Sequence, residues 1–173
     1  MSDELLQLVD REGNPLGTAP RSMCHGNPKL IQAVVHLHLF DEAGRLYLQK
    51  RAADKDRYPG RWDTSVGGHV APGESPEQAI QREAREELGI VLGDPIGAGP
   101  AERLAPYIYR DETESEYVVP FRLVYPGTPR PNAEEVQEGA LFELEEIRCR
   151  LREQPERFTP HFREAFQHLL RGR

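Results

Sequence analysis

The sequence predicts an α/β or α+β fold, a mixed sheet packed between helices within one domain over 1–173. Two local patterns and their order carry this. From Ile31 to Phe40 the residues alternate, with Val35, Leu37 and Leu39 pointing one way and Val34, His36, His38 and Phe40 the other, which is the period of a strand. After Gly67-Gly68 the pattern changes to Ile80, Ala84 and Leu88 at i, i+4 and i+8, the stripe of an amphipathic helix. Strands joined by short turns with helices interspersed describe a layered mixed sheet. At 173 residues the chain buries a core without needing disulfide or metal staples.

The elements follow in order. Leu5 to Asp10, the turn Gly13-Asn14-Pro15 and Leu16 to Ala19 read as an N-terminal hairpin over 5–19. Beyond the Ile31 to Phe40 strand, Asp41-Glu42-Ala43-Gly44 makes a hairpin loop, and Arg45 to Arg51 returns with Leu46 and Leu48 on one face. Ala52 to Arg61 is a charged loop holding Pro59-Gly60; Trp62 to Val66 is a short strand that Gly67-Gly68 ends. A helix opens at Ser75, which suits the N-cap, with Pro76 at the first helical position, Gln78 at the reciprocal capping-box position and Gly89 as the stop. Segments near 101–110 and 116–125, and Ala140 to Leu144, read as strands. Thr159-Pro160 starts a last helix over 160–171 with Phe162, Ala165, Phe166, Leu169 and Leu170 as its apolar face.

Composition excludes several functions. Lys plus Arg number 22 against 29 Asp plus Glu, a net charge of −7, whereas a nucleic-acid-polymer binder needs a basic footprint. The most apolar stretch, Ala33 to Phe40, is broken by His36 and His38, and Met-Ser-Asp-Glu-Leu-Leu has no signal-peptide character, so no membrane partner is expected. Cys24 and Cys149 sit in no metal-type spacing and read as reduced cytoplasmic thiols.

Chemistry concentrates in residues 82–87, Arg-Glu-Ala-Arg-Glu-Glu. At about 100° per residue, Glu83, Glu86 and Glu87 fall on one arc of the helix beside its buried stripe. Like charges at i, i+3 and i+4 cost about 0.2–0.5 kcal/mol per pair, a cost that a bound cation removes. Oxygen-only ligands suit a hard ion such as Mg²⁺. On an arbitrary helix the plainer reading is a solvated acidic face.

The surrounding spacing decides between them. Gly68 is followed by five residues, Glu74, seven residues, Arg82-Glu83, two residues, Glu86-Glu87, one residue, Gly89 and Ile90. This 68–90 segment resembles the Nudix box, departing only at Ala84, where the pattern favours a bulkier aliphatic residue. The resemblance implies an α/β/α sandwich around a mixed sheet. It also implies hydrolysis of a nucleoside diphosphate linked to another group, with Mg²⁺ or Mn²⁺ as cofactor. By position it makes Glu83, Glu86, Glu87 and the backbone carbonyl of Gly67 metal ligands, and it gives Glu74 and Arg82 a pairing role that orients the helix, with Gly68 and Gly89 structural.

A wider similarity covers roughly 5–145. Leu8-Val9-Asp10 through Gly17, His25, the 33–51 hairpin, Pro59-Gly60-Arg61-Trp62, Gly68-His69 and Glu114-x-Glu116 look like the isopentenyl-diphosphate isomerase branch of the superfamily. In that branch histidines and the paired glutamates hold a metal, while a cysteine and a glutamate move protons. His25, His69, Glu114 and Glu116 match; the second histidine falls on Ile31 and the cysteine on Gly67. The missing thiol argues for an isomerase-like hydrolase rather than an isomerase. Isomerisation and a non-catalytic nucleotide-binding domain are the competing functions.

The remaining candidates carry two readings each. His69 either lines the pocket or fills space, and His25 is a solvated or structural histidine or, with Glu114 and Glu116, a metal ligand. Glu114 and Glu116 share a strand face as exposed charge or a second metal site. Glu135 and Glu138 sit where an extra carboxylate is sometimes found. Trp62 is core or a stacking platform, and Arg51, Lys55 and Arg61 either meet phosphates or are solvated. His36 and His38 read as packing or surface residues. The expected partner is a small-molecule diphosphate, with a homodimer as default assembly.

Overall fold

The alternating strand at Ile31–Phe40 is the spine of one ten-stranded sheet. The computed structural model describes residues 3–55, 57–93, 99–134 and 136–172. In chain order the elements are β1 (Leu5–Val9), β2 (Pro15–Pro20), α1 (Arg21–Cys24), β3 (Ile31–Phe40), β4 (Leu46–Arg51), β5 (Trp62–Asp63) and β6 (Val66–His69). They continue as α2 (Pro76–Leu88), β7 (Glu102–Arg103), β8 (Tyr107–Arg110), β9 (Ser115–Val124), β10 (Val136–Phe142), α3 (Leu144–Glu153) and α4 (Pro160–Arg171).

Along one edge β3 pairs in parallel with β9, from Ile31 opposite Ser115 to Phe40 opposite Val124. Along the other edge it meets β1, β6 and β4 antiparallel, so the sheet is mixed as expected. The two faces of β3 serve two cores. Val35, Leu37 and Leu39 pack with Ala79, Ile80, Ala84 and Leu88 of α2. Phe40, Leu46, Leu48 and Trp62 pack with Ile147 of α3 and with Phe158, Phe162, Phe166 and Leu169 around α4. Helices therefore cover both faces, the sheet packed between helices that the order of elements predicts and the sandwich that the resemblance implies.

Local chemistry sets the helix ends. Ser75 Oγ accepts from Gln78 N–H at 3.2 Å while Gln78 Oε1 accepts from Ser75 N–H at 2.9 Å, closing the capping box. Gly89 ends α2 at φ +66°, a left-handed conformation that glycine adopts without steric cost. At α4 the Thr159 hydroxyl accepts from Phe162 N–H at 3.0 Å.

Three expectations need correction. Gly67-Gly68 do not end a strand; β6 runs through them, because the backbone of Val66–His69 pairs with β3 whatever the side chain. The single strand expected from Trp62 is two strands, separated where Ser65 Oγ accepts from Leu39 N–H at 2.9 Å and donates to Tyr47 C=O at 2.5 Å. Leu144 belongs not to a strand but to α3, a helix whose dense Glu and Arg content leaves Ile147 as its one buried residue and hides its period.

Phe162 is fully buried between Phe158 and Phe166. Phe162→Ala is expected to cost about 3–5 kcal/mol of stability, read as a fall in the urea midpoint at unchanged slope.

Candidate functional site

The edge of β6 that faces away from β3 opens on a pocket of about 890 Å³. Antiparallel register puts Gly67 opposite His36 on the α4 side of the sheet and Gly68 opposite Val35 on the α2 side. With neither residue carrying a side chain, the pocket reaches both faces. Glu83, Glu86 and Glu87 of α2 form one wall, and Glu114, Glu116 and His161 line the other. Arg51, Lys55 and Arg57, from the end of β4 and the loop after it, lie between.

The α2 wall depends on Gly68, where a Cβ would overlap the Glu83 carboxyl group. Arg82 organises this wall. Its Nε and Nη2 donate to the two oxygens of Glu74 at 3.0 and 2.9 Å, Nη2 also reaches the His69 carbonyl at 3.0 Å, and Nη1 donates to Glu83 at 2.6 Å and Glu86 at 3.4 Å. Glu74 in turn accepts from Ala71 N–H at 2.9 Å, so the loop before α2 and the helix are tied together. Glu87 accepts from the Gln49 amide at 2.6 Å. Burial lifts the Glu83 carboxyl above the usual range against the pull of Arg82. Glu86 is 60% exposed. These three carboxylates share one helix face and line the pocket, with Glu83 desolvated, but among the described residues the carboxyl and imidazole atoms that converge within 4.8 Å of one another are those of the opposite wall.

The opposite wall joins two distant parts of the chain. Glu114 and Glu116 straddle the start of β9, and His161 stands in the first turn of α4; one ligand atom from each lies within 4.8 Å of the others. His161 Nε2 is 2.9 Å from Glu114 Oε1 and 3.6 Å from Glu116 Oε1. Glu114, 2% exposed, also receives Arg57 Nη1 at 2.5 Å. Burial opposes charge on His161, but the hydrogen bond to Glu114 and the carboxylates of Glu116 and Asp63 outweigh it and raise its pKa. Glu116 is pushed up by burial to about 7, and its Oε2 is buried without a partner. One imidazole and two carboxylates, with an orphaned oxygen among them, could hold a divalent cation.

Other histidines are held uncharged. Burial lowers His36 and His69 to about 4, and the His69 Nε2 has no partner. His36 lines the pocket rather than serving only as packing, with Nδ1 3.5 Å from the Tyr107 hydroxyl. His25 also lines the pocket. On β3 the residue opposite Glu116 is Gln32, not Ile31, so Gln32 shares its face of the sheet.

Several candidates lie elsewhere. Trp62 is core, packed edge-on against Phe142 at 5.0 Å. The Arg61 guanidinium sits 5.3 Å over the Tyr58 ring and does not line the pocket. Glu138 pairs with Lys50 at 3.5 Å. Glu135 lies outside the described residues. Sequence reasoning missed His161, Arg57 and Gln49. For His161 a signal existed: His161, Ala165 and His168 are spaced i, i+4 and i+7 beside the Phe stripe.

A NUDIX domain model matches residues 29–166. Among curated proteins, the isopentenyl-diphosphate Delta-isomerase of Agromyces mediolanus is 34% identical over 165 residues, covering 92% of this chain and 77% of that protein. The enzyme of the same name from Nocardia farcinica is 34% identical over 163 residues, covering 94% and 92%. Among solved structures, DR0079 from Deinococcus radiodurans superposes with a TM-score of 0.74 at 26% identity, over 87% of this chain and 90% of that one. A MutT protein from Methanosarcina mazei superposes at 0.64 and 23% identity over 80% and 92%, which shows the shared fold.

The Glu116 environment predicts a pH effect. Its folded pKa of about 7 exceeds the ordinary 4.5, so its favourable contribution is complete below about 4.5 and is lost as pH rises through about 7. In metal-free protein, Glu116→Gln is therefore expected to be more stable than the parent at pH 8, by up to about 3 kcal/mol, and to lose that advantage at pH 5. Thermal melts at the two pH values check it.

Proposed function

Because the chain belongs to the NUDIX domain family, we propose that it is a divalent-cation-dependent enzyme that cleaves the diphosphate linkage of a small molecule, a nucleoside diphosphate joined to another group or a related compound. The observation that carries this reading is the α2 wall, where Glu83, Glu86 and Glu87 face one pocket beside Gly67 and Gly68. These residues would hold Mg²⁺ or Mn²⁺, which when bound neutralises diphosphate charge and lowers the pKa of water. Arg82, held by both oxygens of Glu74, keeps the helix in register with the glycine edge. Arg51 and Lys55 line the approach and supply donors for phosphate oxygens. One of the three carboxylates, or a loop carboxylate, takes the proton of the attacking water. The two free cysteines suit the reducing, cytoplasmic setting that goes with this proposal.

A second reading, isopentenyl-type isomerisation, has specific support. The relatives that align over nearly the whole chain carry that name, and their names favour this reading over hydrolysis. Glu116, buried in the pocket with a carboxyl near neutrality, is a group able to deliver a proton. Against it stands Gly67. The isomerase resemblance needs a thiol there, and a Cβ at that position would come 3.2 Å from Thr64 Cγ2 and 3.4 Å from His36 Cδ2.

The two readings part in one experiment. With Mg²⁺, the protein is expected to release phosphate-containing product from at least one of a panel of nucleoside di- and triphosphates, nucleotide sugars, dinucleotides and prenyl diphosphates, and none with EDTA. Glu86→Gln or Glu87→Gln is expected to lower turnover by on the order of 10²–10⁴-fold with the circular-dichroism spectrum unchanged. Conversion of isopentenyl diphosphate to its allylic isomer with the diphosphate intact, followed by NMR, would establish the second reading instead. Silence in both assays would leave a nucleotide-binding domain.

A further inference from the structure

We infer that Arg57 is a built-in counter-cation for the Glu114–Glu116–His161 cluster, so that binding of a divalent ion there expels its guanidinium and frees the loop that carries it. This rests on reading those three residues as cation ligands. The charges motivate it. Glu114 is a buried carboxylate already balanced from two sides, by Arg57 Nη1 at 2.5 Å and His161 Nε2 at 2.9 Å. A divalent ion on Glu114, Glu116 and His161 would add two positive charges within a few ångströms of that guanidinium, in a site too dry to screen them. Arg57 is 29% exposed and has somewhere to go, whereas Glu114 does not.

The loop is arranged to respond. At its base Arg51 N–H donates to the Arg61 carbonyl at 2.9 Å and Gly60 N–H to the Arg51 carbonyl at 3.1 Å, which fixes the hinge to β4. At its tip Arg57 crosses to the turn before β9, touching Thr113 Oγ1 at 3.2 Å as well as Glu114. Between them Tyr58 has φ +50°, among the described residues the one positive φ outside glycine, and it precedes Pro59. A bulky residue there is strained and stays so only while its surroundings hold it. Its ring lies 5.3 Å from the guanidinium groups of both Arg57 and Arg61. Removing the Arg57 anchor takes away the side-chain tie across to the turn before β9 and leaves the strained turn held by Arg51 Nε on the Arg57 carbonyl at 3.0 Å and Arg61 N–H on the Tyr58 carbonyl at 3.4 Å. The same loop carries Lys55 into the pocket, so occupancy of one wall is communicated to the side where a diphosphate would lie.

The test uses the full chain with the α2 wall silenced by Glu83→Gln, Glu86→Gln and Glu87→Gln, so that added Co²⁺ reports on the other wall through its visible absorption. In this background Arg57→Met is expected to bind Co²⁺ at least tenfold more tightly, and Arg57→Lys to fall between. Co²⁺ is expected to speed hydrogen exchange of amides in 52–55 and 57–61 when Arg57 is present, and Arg57→Met to show fast exchange without metal. Equal Co²⁺ affinity with and without Arg57, or a gain in affinity with no change in exchange, overturns the coupling while leaving the cation site standing. Absence of Co²⁺ binding in both proteins, or binding that survives His161→Ala with Glu116→Gln, overturns the cation site and the coupling together.

Discussion

The pocket exists because two consecutive residues of β6 have no side chains. A strand normally separates the two faces of its sheet, since each residue projects a side chain to one side or the other. At Gly67 and Gly68 that barrier is only backbone thick, and β6 has no strand partner on its outer edge among the described residues. Carboxylates carried by α2 on one face and by β9 on the other therefore share one opening. Any side chain at Gly68 would push Glu83 away.

Both walls face the same electrostatic problem and meet it in the same way. Each gathers acidic groups where burial disfavours their charge, and each carries a guanidinium in place: Arg82 on Glu74, Glu83 and Glu86, Arg57 on Glu114. The settings differ. Arg82 extends from the middle of α2 and is fixed by five hydrogen bonds, an arrangement that positions it. Arg57 extends from a loop whose next residue, Tyr58, has a positive φ, and it crosses to the turn before β9 rather than lying along a helix.

What the sequence makes legible follows from how local the cause is. The alternation of β3, the Ser75 capping box and the boundaries of α4 depend on residues within a few positions of each other, and they can be read directly. The α2 wall is equally local, because one helix face holds all three glutamates. The opposite wall was half visible: Glu114 and Glu116 stand out as a pair, but their partners come from residues 57 and 161, which only the folded chain brings near. The double glycine reads as a break because glycine weakens strands in isolation, whereas here cross-strand pairing with β3 overrides that tendency. Trp62 follows its core reading rather than its stacking one: it stands beside a functional loop, but its side chain turns inward.

Asp63 gives this architecture an unexpected unity. It accepts from the Thr159 hydroxyl at 2.9 Å, and Arg51 approaches it at 3.5 Å. The last helix of the chain is thus moored to the sheet at the very turn that presents His161. A perturbation of α4, such as fraying or a fused tag that strains it, would reach the pocket through His161 as well as the core through Phe162, Phe166 and Leu169. One wall takes its three glutamates from a single helix, while the other is complete only with His161 of the final segment beside Glu114 and Glu116.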